Sequence, residues 1–210
     1  MKEQLQKDFK NTIKNLSLSQ KDIEIKKFSL DNFINKGFPN RKEEDWKFSD
    51  LNQIINKNIG ELSFYNDYTS TNKVDTSVFV DGLEHNKIVF INGRVEKIDV
   101  DYEKKGQIEI IDQSETINKF DNNNSLSDLN NAFTNKCFKI VINTGYQLLK
   151  PLIIYHTTDS KIWSKNINLR LDFGVQEDSC LRLIDLFNDT SEKNFLNIFY
   201  NFNLKEDAIL

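Results

Sequence analysis

The chain has 210 residues, a net charge of -4, 38% hydrophobic residues and 16 phenylalanines. That aromatic supply excludes a disordered chain, and the acidic balance gives no global attraction to phosphate backbones, so a nucleic-acid partner is not expected. Two cysteines are too few for a disulfide framework, and neither a signal peptide nor an apolar run of membrane-spanning length occurs, which predicts a cytoplasmic protein without membrane contact.

Leu5, Phe9, Ile13 and Leu16 recur at helical spacing and predict an amphipathic helix ending near Ser17. Ser19 is placed to cap a second run, in which Ile25, Phe28, Leu30, Phe33 and Ile34 allow one helix over 22–36 or two broken near Ser29. Gly37 and Pro39 end it, because glycine tolerates the left-handed conformation and proline cannot continue a helix. Asn40 can cap the next turn. From Arg41 to Lys47 both charge signs surround Trp46, so the charges stay in water while the indole folds back onto a core. Ser49 and Asp50 offer a further cap ahead of Leu51, Ile54 and Ile55. Residues 1–62 therefore read as a helical region, and the polar stretch 63–77 as a linker.

From residue 78 the pattern changes to short apolar runs separated by Gly82, Gly93 and Gly106. Strands are expected at 78–80, 88–91, 95–100 and 108–111. A helical insertion near 125–135 carries Leu126, Leu129, Ala132 and Phe133, with Ser125 as its cap. Strands resume at 138–142, 152–155, 167–173, 180–187 and 195–202. The segment Asn168-Leu169-Arg170-Leu171-Asp172-Phe173 alternates as a strand with one wet face would. Regular short strands at this interval fit either a sandwich or a stacked solenoid, and periodicity leaves both open.

Chemistry-bearing residues are sparse. Cys137 and Cys180 are far apart, belong to no Cys-x-x-Cys pair and have no histidine beside them, so they read as small buried hydrophobes and no metal site is expected. His85 in a turn and His156 at a strand end have no acid and nucleophile in recognisable order, and read as exposed. The seven glycines form neither a phosphate loop nor a dinucleotide fingerprint. The carboxylates Glu43, Glu44 and Asp45 read as a solvated cluster and not as a catalytic pair.

The run from Gly37 to Leu51 resembles the Gly-Leu-Pro-Thr-Arg-Lys-x-Glu-x-Trp-Lys-Tyr-Thr-Asp-Leu signature near the start of the SufD family of iron–sulfur cluster assembly scaffolds. Gly37, Pro39, Arg41, Glu44, Trp46, Asp50 and Leu51 carry the match, and Phe38, Asn40, Phe48 and Ser49 are conservative departures. Three further segments occur in family order: Val89-Phe90-Ile91-Asn92-Gly93-Arg94, Leu129-Asn130-Asn131-Ala132-Phe133 and Pro151-Leu152-Ile153-Ile154-Tyr155-His156. The resemblance spans the chain, and corresponds to the first half of a typical member.

The resemblance implies a mainly β protein with an N-terminal α-helical region. Residues 78–210 would form the first part of a right-handed parallel β-helix that is incomplete at its C-terminus. The apolar ending Ala208-Ile209-Leu210 fits a truncated last coil, or one covered by another chain. The implied function is a non-catalytic scaffold subunit of the SufBCD complex, pairing with SufB-like and SufC-like proteins, while ATP and the cluster act elsewhere in that complex. Family residues tied to cluster formation lie late in the β-helix, so no catalytic, cofactor-binding or metal residue is carried over, and the signature residues are expected to be architectural. Two other readings stay open: a carbohydrate-binding or carbohydrate-cleaving β-helix protein, and a free-standing interaction module.

Overall fold

The computed structural model describes residues 2–14, 16, 18–58, 63–64, 77, 79–113, 124–159, 162, 164–189 and 193–210. The chain opens with helices α1 (Lys2–Lys14) and α2 (Gln20–Lys36), a 3-10 turn (Glu44–Trp46) and helix α3 (Leu51–Asn58). Ser19 does cap α2, its hydroxyl accepting from the Asp22 amide at 3.2 Å. The second run is one helix, because Ser29 points into the core and leaves the helix unbroken. A fourth helix, α4 (Ser125–Phe133), fills the expected insertion. Its cap is Asn124, one residue ahead of the expected Ser125, with Oδ1 accepting from the Leu126 amide at 2.8 Å.

The strands are β1 (Ser63–Phe64), β2 (Asn86–Ile91), β3 (Arg94–Asp99), β4 (Ile108–Asp112), β5 (Cys137–Ile142), β6 (Leu152–Thr158), β7 (Lys165–Val175), β8 (Leu183–Asp189) and β9 (Phe195–Leu204). The strand expected at 78–80 is not formed at Phe79 or Val80, and position 78 lies outside the described residues, as does 65–76 of the expected linker. Phe79 instead packs on the sheet as part of a covering segment.

Two mixed sheets result, and neither closes. In the first, β5, β7 and β9 run parallel, β4 joins antiparallel beside β5, and β1 pairs with the start of β7. In the second, β2, β6 and β8 run parallel and β3 closes a hairpin on β2. Asn92 and Gly93, at φ 54 and 76, form that hairpin's two-residue turn, which needs positive φ at both positions. From β5 and β6 onward the parallel partner comes 29 to 33 residues later, as in Cys137 with Arg170, Leu152 with Leu183 and Asn166 with Phe195, whereas Asn86 of β2 meets Leu152 of β6 across the longer stretch that contains the β3 and β4 strands and α4. At the corner between the sheets, Gln147, Cys180 and Ile209 repeat the parallel stacking as isolated bridges.

One core lies between the sheets. It takes Ile88 and Phe90 from β2, Phe138, Ile140 and Ile142 from β5, Leu152 and Ile154 from β6, and Leu169, Leu171 and Phe173 from β7. The expected wet face of β7 is absent: Asn168 and Arg170 are also buried, because α4 and neighbouring strands cover the strand's outer side. Strands covered on both faces tolerate such polar residues only when they are paired, and Arg170 meets Asp172 through two hydrogen bonds at 2.9 and 2.8 Å. A second core joins the helices to the first sheet through Leu5, Phe9, Phe33, Phe38, Leu129 and Phe133. Among the described residues no helix is long and apolar enough to cross a membrane.

Candidate functional site

The elbow at 37–51 is built by reciprocal caps. Gly37, at φ 73, turns α2 off while its amide still reaches the Phe33 carbonyl. The Asn40 side chain accepts from the Lys42 amide at 3.1 Å, and Glu43 Oε1 accepts in return from the Asn40 amide at 3.1 Å. Asp50 Oδ1 then caps α3 by accepting from the Gln53 amide at 3.0 Å, and the Leu51 amide reaches back to the Pro39 carbonyl at 3.3 Å. The elbow is a closed loop.

Its charges are as wet as expected: Arg41, Lys42, Glu43, Glu44 and Asp45 are all exposed. Trp46 is only half-buried against the helical core. The deeper anchor is Phe38, which lies edge-on to Phe33 at 5.0 Å and to Phe195 of β9 at 6.1 Å. In the sequence Phe38 is a mere departure from the signature, whereas in the fold it joins the elbow to the sheet. Phe48, the other aromatic departure, is 87% exposed.

The second and third resembling segments also make architecture. Gly93 sits in the β2–β3 turn, where an added Cβ would lie 2.8 Å from Ile167 Cγ2 on the neighbouring sheet. Asn130 of α4 donates to the carbonyls of Leu169 at 3.0 Å and Asn197 at 2.7 Å, and accepts from the Thr134 hydroxyl at 2.8 Å. Asn197 answers by donating to the Leu126 carbonyl at 3.0 Å. These bonds fasten α4 onto β7 and β9, and satisfy polar groups that the helix has removed from water.

Glu103, between β3 and β4, holds the opposite side. Its carboxylate accepts from Asn86 at 2.6 Å, the Tyr146 hydroxyl at 2.7 Å, and the amides of Leu149 and Lys150 at 3.1 Å each. Partial burial alone would raise its pKa, but these bonds to the charged form outweigh it and leave the carboxyl below its usual value.

Both histidines are buried, contrary to the exposed positions expected for them. His85 Nδ1 donates to the Leu83 carbonyl at 2.6 Å, and its Nε2 accepts from the Tyr155 hydroxyl at 2.8 Å, which itself accepts from the Val80 amide at 3.0 Å. This chain ties the covering segment onto the second sheet. His156 occupies a register column with Phe90 of β2 and Phe187 of β8, and its ring stacks on theirs at 5.3 and 4.9 Å. Its Nε2 lies 2.9 Å from Tyr200 Oη and 3.0 Å from Asp185 Oδ1. These three residues are far apart in sequence and meet only because parallel stacking brings β6, β8 and β9 together, so no local motif announces them.

Cys137 is buried as expected, and that burial pushes its thiol up to about 11, which makes it a poor nucleophile. Cys180 is only partly buried, at the corner between Gln147 and Ile209. Among the described residues no group of three His, Cys, Asp or Glu side chains gathers for a metal ion. A groove of about 320 Å³ between α1 and α2 is lined by Phe9, Ile13, Leu30, Lys10, Lys27 and Asp31, and brings no nucleophile or histidine together. No protein-family model and no curated protein matches the chain.

Proposed function

We propose that the chain is a non-catalytic, SufD-like scaffold subunit that pairs with SufB-like and SufC-like proteins in iron–sulfur cluster assembly, and that its stacked sheets are the first part of a right-handed parallel β-helix. One observation carries the reading: β5, β7 and β9 on one sheet, and β2, β6 and β8 on the other, run in parallel register, and corner bridges keep step with them. From β5 and β6 onward each step is 29 to 33 residues. A sandwich of antiparallel hairpins has no reason to keep such a step. A solenoid needs it, because each coil buries its inward side chains on the same positions of the next.

The fold supports a platform role better than a catalytic one. Three of the four segments that resemble the SufD family serve packing or capping: the elbow docks through Phe38, Gly93 permits close approach of Ile167, and Asn130 rivets α4 to the sheet. The stacking is open to continuation at the outer edges of β8 and β9. Among the described residues no strand pairs with the outer edges of β8 and β9, and Phe187, Phe202 and Leu204 there are exposed. Unpaired edges beside exposed apolar side chains are where a β-helix adds its next coil.

Co-expression with SufB-like and SufC-like proteins from the same source, followed by affinity capture under reducing conditions, tests the assignment. Retention of both partners is expected. Retention of neither by the complete protein would refute it.

A further inference from the structure

The covering segment at 79–85 lies on the outer side of the second sheet. Beneath it are Val89 and Ile91 of β2 and Ile153 and Tyr155 of β6, all buried although they point away from the core between the sheets. Phe79 rests on the Tyr155 ring, their centroids 4.9 Å apart. From Val80 to Glu84 the segment is exposed, so among the described residues its hold on the sheet rests on Phe79 and on the buried His85.

The hydrogen-bonded chain through His85 has one possible direction. The Leu83 carbonyl can only accept, so Nδ1 of His85 carries the ring proton and Nε2 is the acceptor. The Val80 amide can only donate, so Tyr155 Oη accepts from it and gives its own hydrogen to Nε2. Every group is satisfied, but only while the imidazole is neutral. A proton on Nε2 would aim two donors at Tyr155 Oη, and leave the phenol hydrogen with no acceptor among the described residues. The charged groups around the segment are committed elsewhere or lie in water. Glu84 is exposed and pairs with Lys150 at 2.6 Å, Asp81 is exposed, and Glu103 is taken up by Asn86, Tyr146 and two amides. Lys87 of β2, 5.3 Å from the centre of the Phe79 ring, pairs with Asp99 at 3.6 Å and brings a like charge to the same face.

We propose that the segment 79–85 is an acid-released cover: protonation of His85 Nε2 breaks its bond from Tyr155, frees the Val80 amide and uncovers the apolar outer face of β2 and β6. Imidazole is the side chain whose charge ordinarily changes between about pH 5 and 8, so the cover is closed at neutral pH and opens on mild acidification. The open form binds the extra proton, which is why closure weakens as pH falls. His156, the next residue after Tyr155, points to the other side of β6 and stacks on Phe90, so it takes no part in the cover. The device stands independently of the scaffold assignment, since the cover opens or stays closed whether or not partners are captured.

The test is amide exchange of the whole chain at pH 7.5 and 5.5, read residue by residue by NMR and expressed as protection relative to unstructured chain at each pH. Protection of the Val80 amide is expected to fall at least tenfold at pH 5.5, while that of Ile154, inside β6, holds. In His85→Gln, whose amide oxygen can still accept from Tyr155 but does not titrate, Val80 protection should be the same at both pH values. Equal protection of Val80 at the two pH values in the wild type, or a fall that the variant shares, overturns the proposal. Parallel loss at Ile154 also overturns it, because the sheet and not the cover would then be opening. The wild-type contrast between Val80 and Ile154 decides the matter even if the variant fails to fold.

Discussion

Lys26 Nζ donates to the carbonyl of Thr134 at 2.6 Å. The same ammonium reaches the carbonyls of Asn131 at 3.1 Å and Ala132 at 3.5 Å, so a side chain from α2 collects the last carbonyls of α4. Lys26 has no solvent exposure, and burial lowers its pKa to about 7 against the opposing pull of Asp22. Helix C-termini welcome cations, which explains how a charge-bearing group persists there.

The lowered pKa makes stability depend on pH. Between pH 7 and the ordinary value of 10.5, the unfolded chain holds a proton on Lys26 that the folded chain has lost. Stability from this group therefore rises with pH across that window, and its contribution is least below pH 7. Urea midpoints measured from pH 6 to 9 should climb in the wild type and flatten in Lys26→Met. That variant should also be weaker at pH 9 by about 1–3 kcal/mol, since buried carbonyls lose their donor. Equal slopes in the two proteins would contradict this.

Gly93 and Gly82 separate two costs. Both have positive φ, but of the two only Gly93 faces an atom, Ile167 Cγ2, at 2.8 Å from an added Cβ. Gly82→Ala should cost about 1 kcal/mol from backbone strain alone. Gly93→Ala should cost about 1–3 kcal/mol more, because overpacking adds to that strain. Thermal denaturation of both variants gives the comparison, and equal losses would show that the contact is easily relieved.

The same pair of glycines marks where local reading of the sequence stops. The helices, the strands from β2 onward and the insertion at α4 are legible in local periodicity, because each buries a face set by its own spacing. The Asn-Gly turn shows in the sequence only as a glycine between strands, and its tight approach to Ile167 depends on a residue of the other sheet. His85 and His156 read as exposed for the same reason: they are covered by Tyr155 in the one case and by Phe90, Phe187 and Tyr200 in the other, none of them a sequence neighbour of the histidine it covers. Asp185 and Tyr200 carry no signal at all before the strands are stacked.

Glu103 should make the fold acid-sensitive. Its carboxyl lies below the usual value, so its stabilisation is present above the ordinary carboxylate pKa of 4.5 and disappears as pH falls through the lower, folded value. Glu103→Gln cannot serve all four donors with one amide oxygen. Its urea midpoint should fall below wild type at pH 7, and the two should converge near pH 3. A constant gap between them would show that the Glu103 charge adds nothing.

At the elbow, Phe38→Ala should be costlier than Trp46→Ala, although tryptophan is the larger residue. Phe38 is buried between Phe33 and Phe195, and truncating such a ring costs about 3–5 kcal/mol. Trp46 is only half-buried and should cost less. Denaturation of the pair decides whether the loop is anchored through the residue that departs from the signature or through the one that matches it.

If the stacked sheets are a platform for partner proteins, part of their exposed surface should be shielded when those partners bind. Hydrogen–deuterium exchange, measured with and without saturating SufB-like and SufC-like proteins from the same source, tests this most directly. A contiguous patch of sheet amides should exchange at least tenfold more slowly in the mixture, with the charged elbow at Arg41 to Asp45 changing least. Unaltered exchange along the whole chain in the presence of both partners would contradict the scaffold assignment.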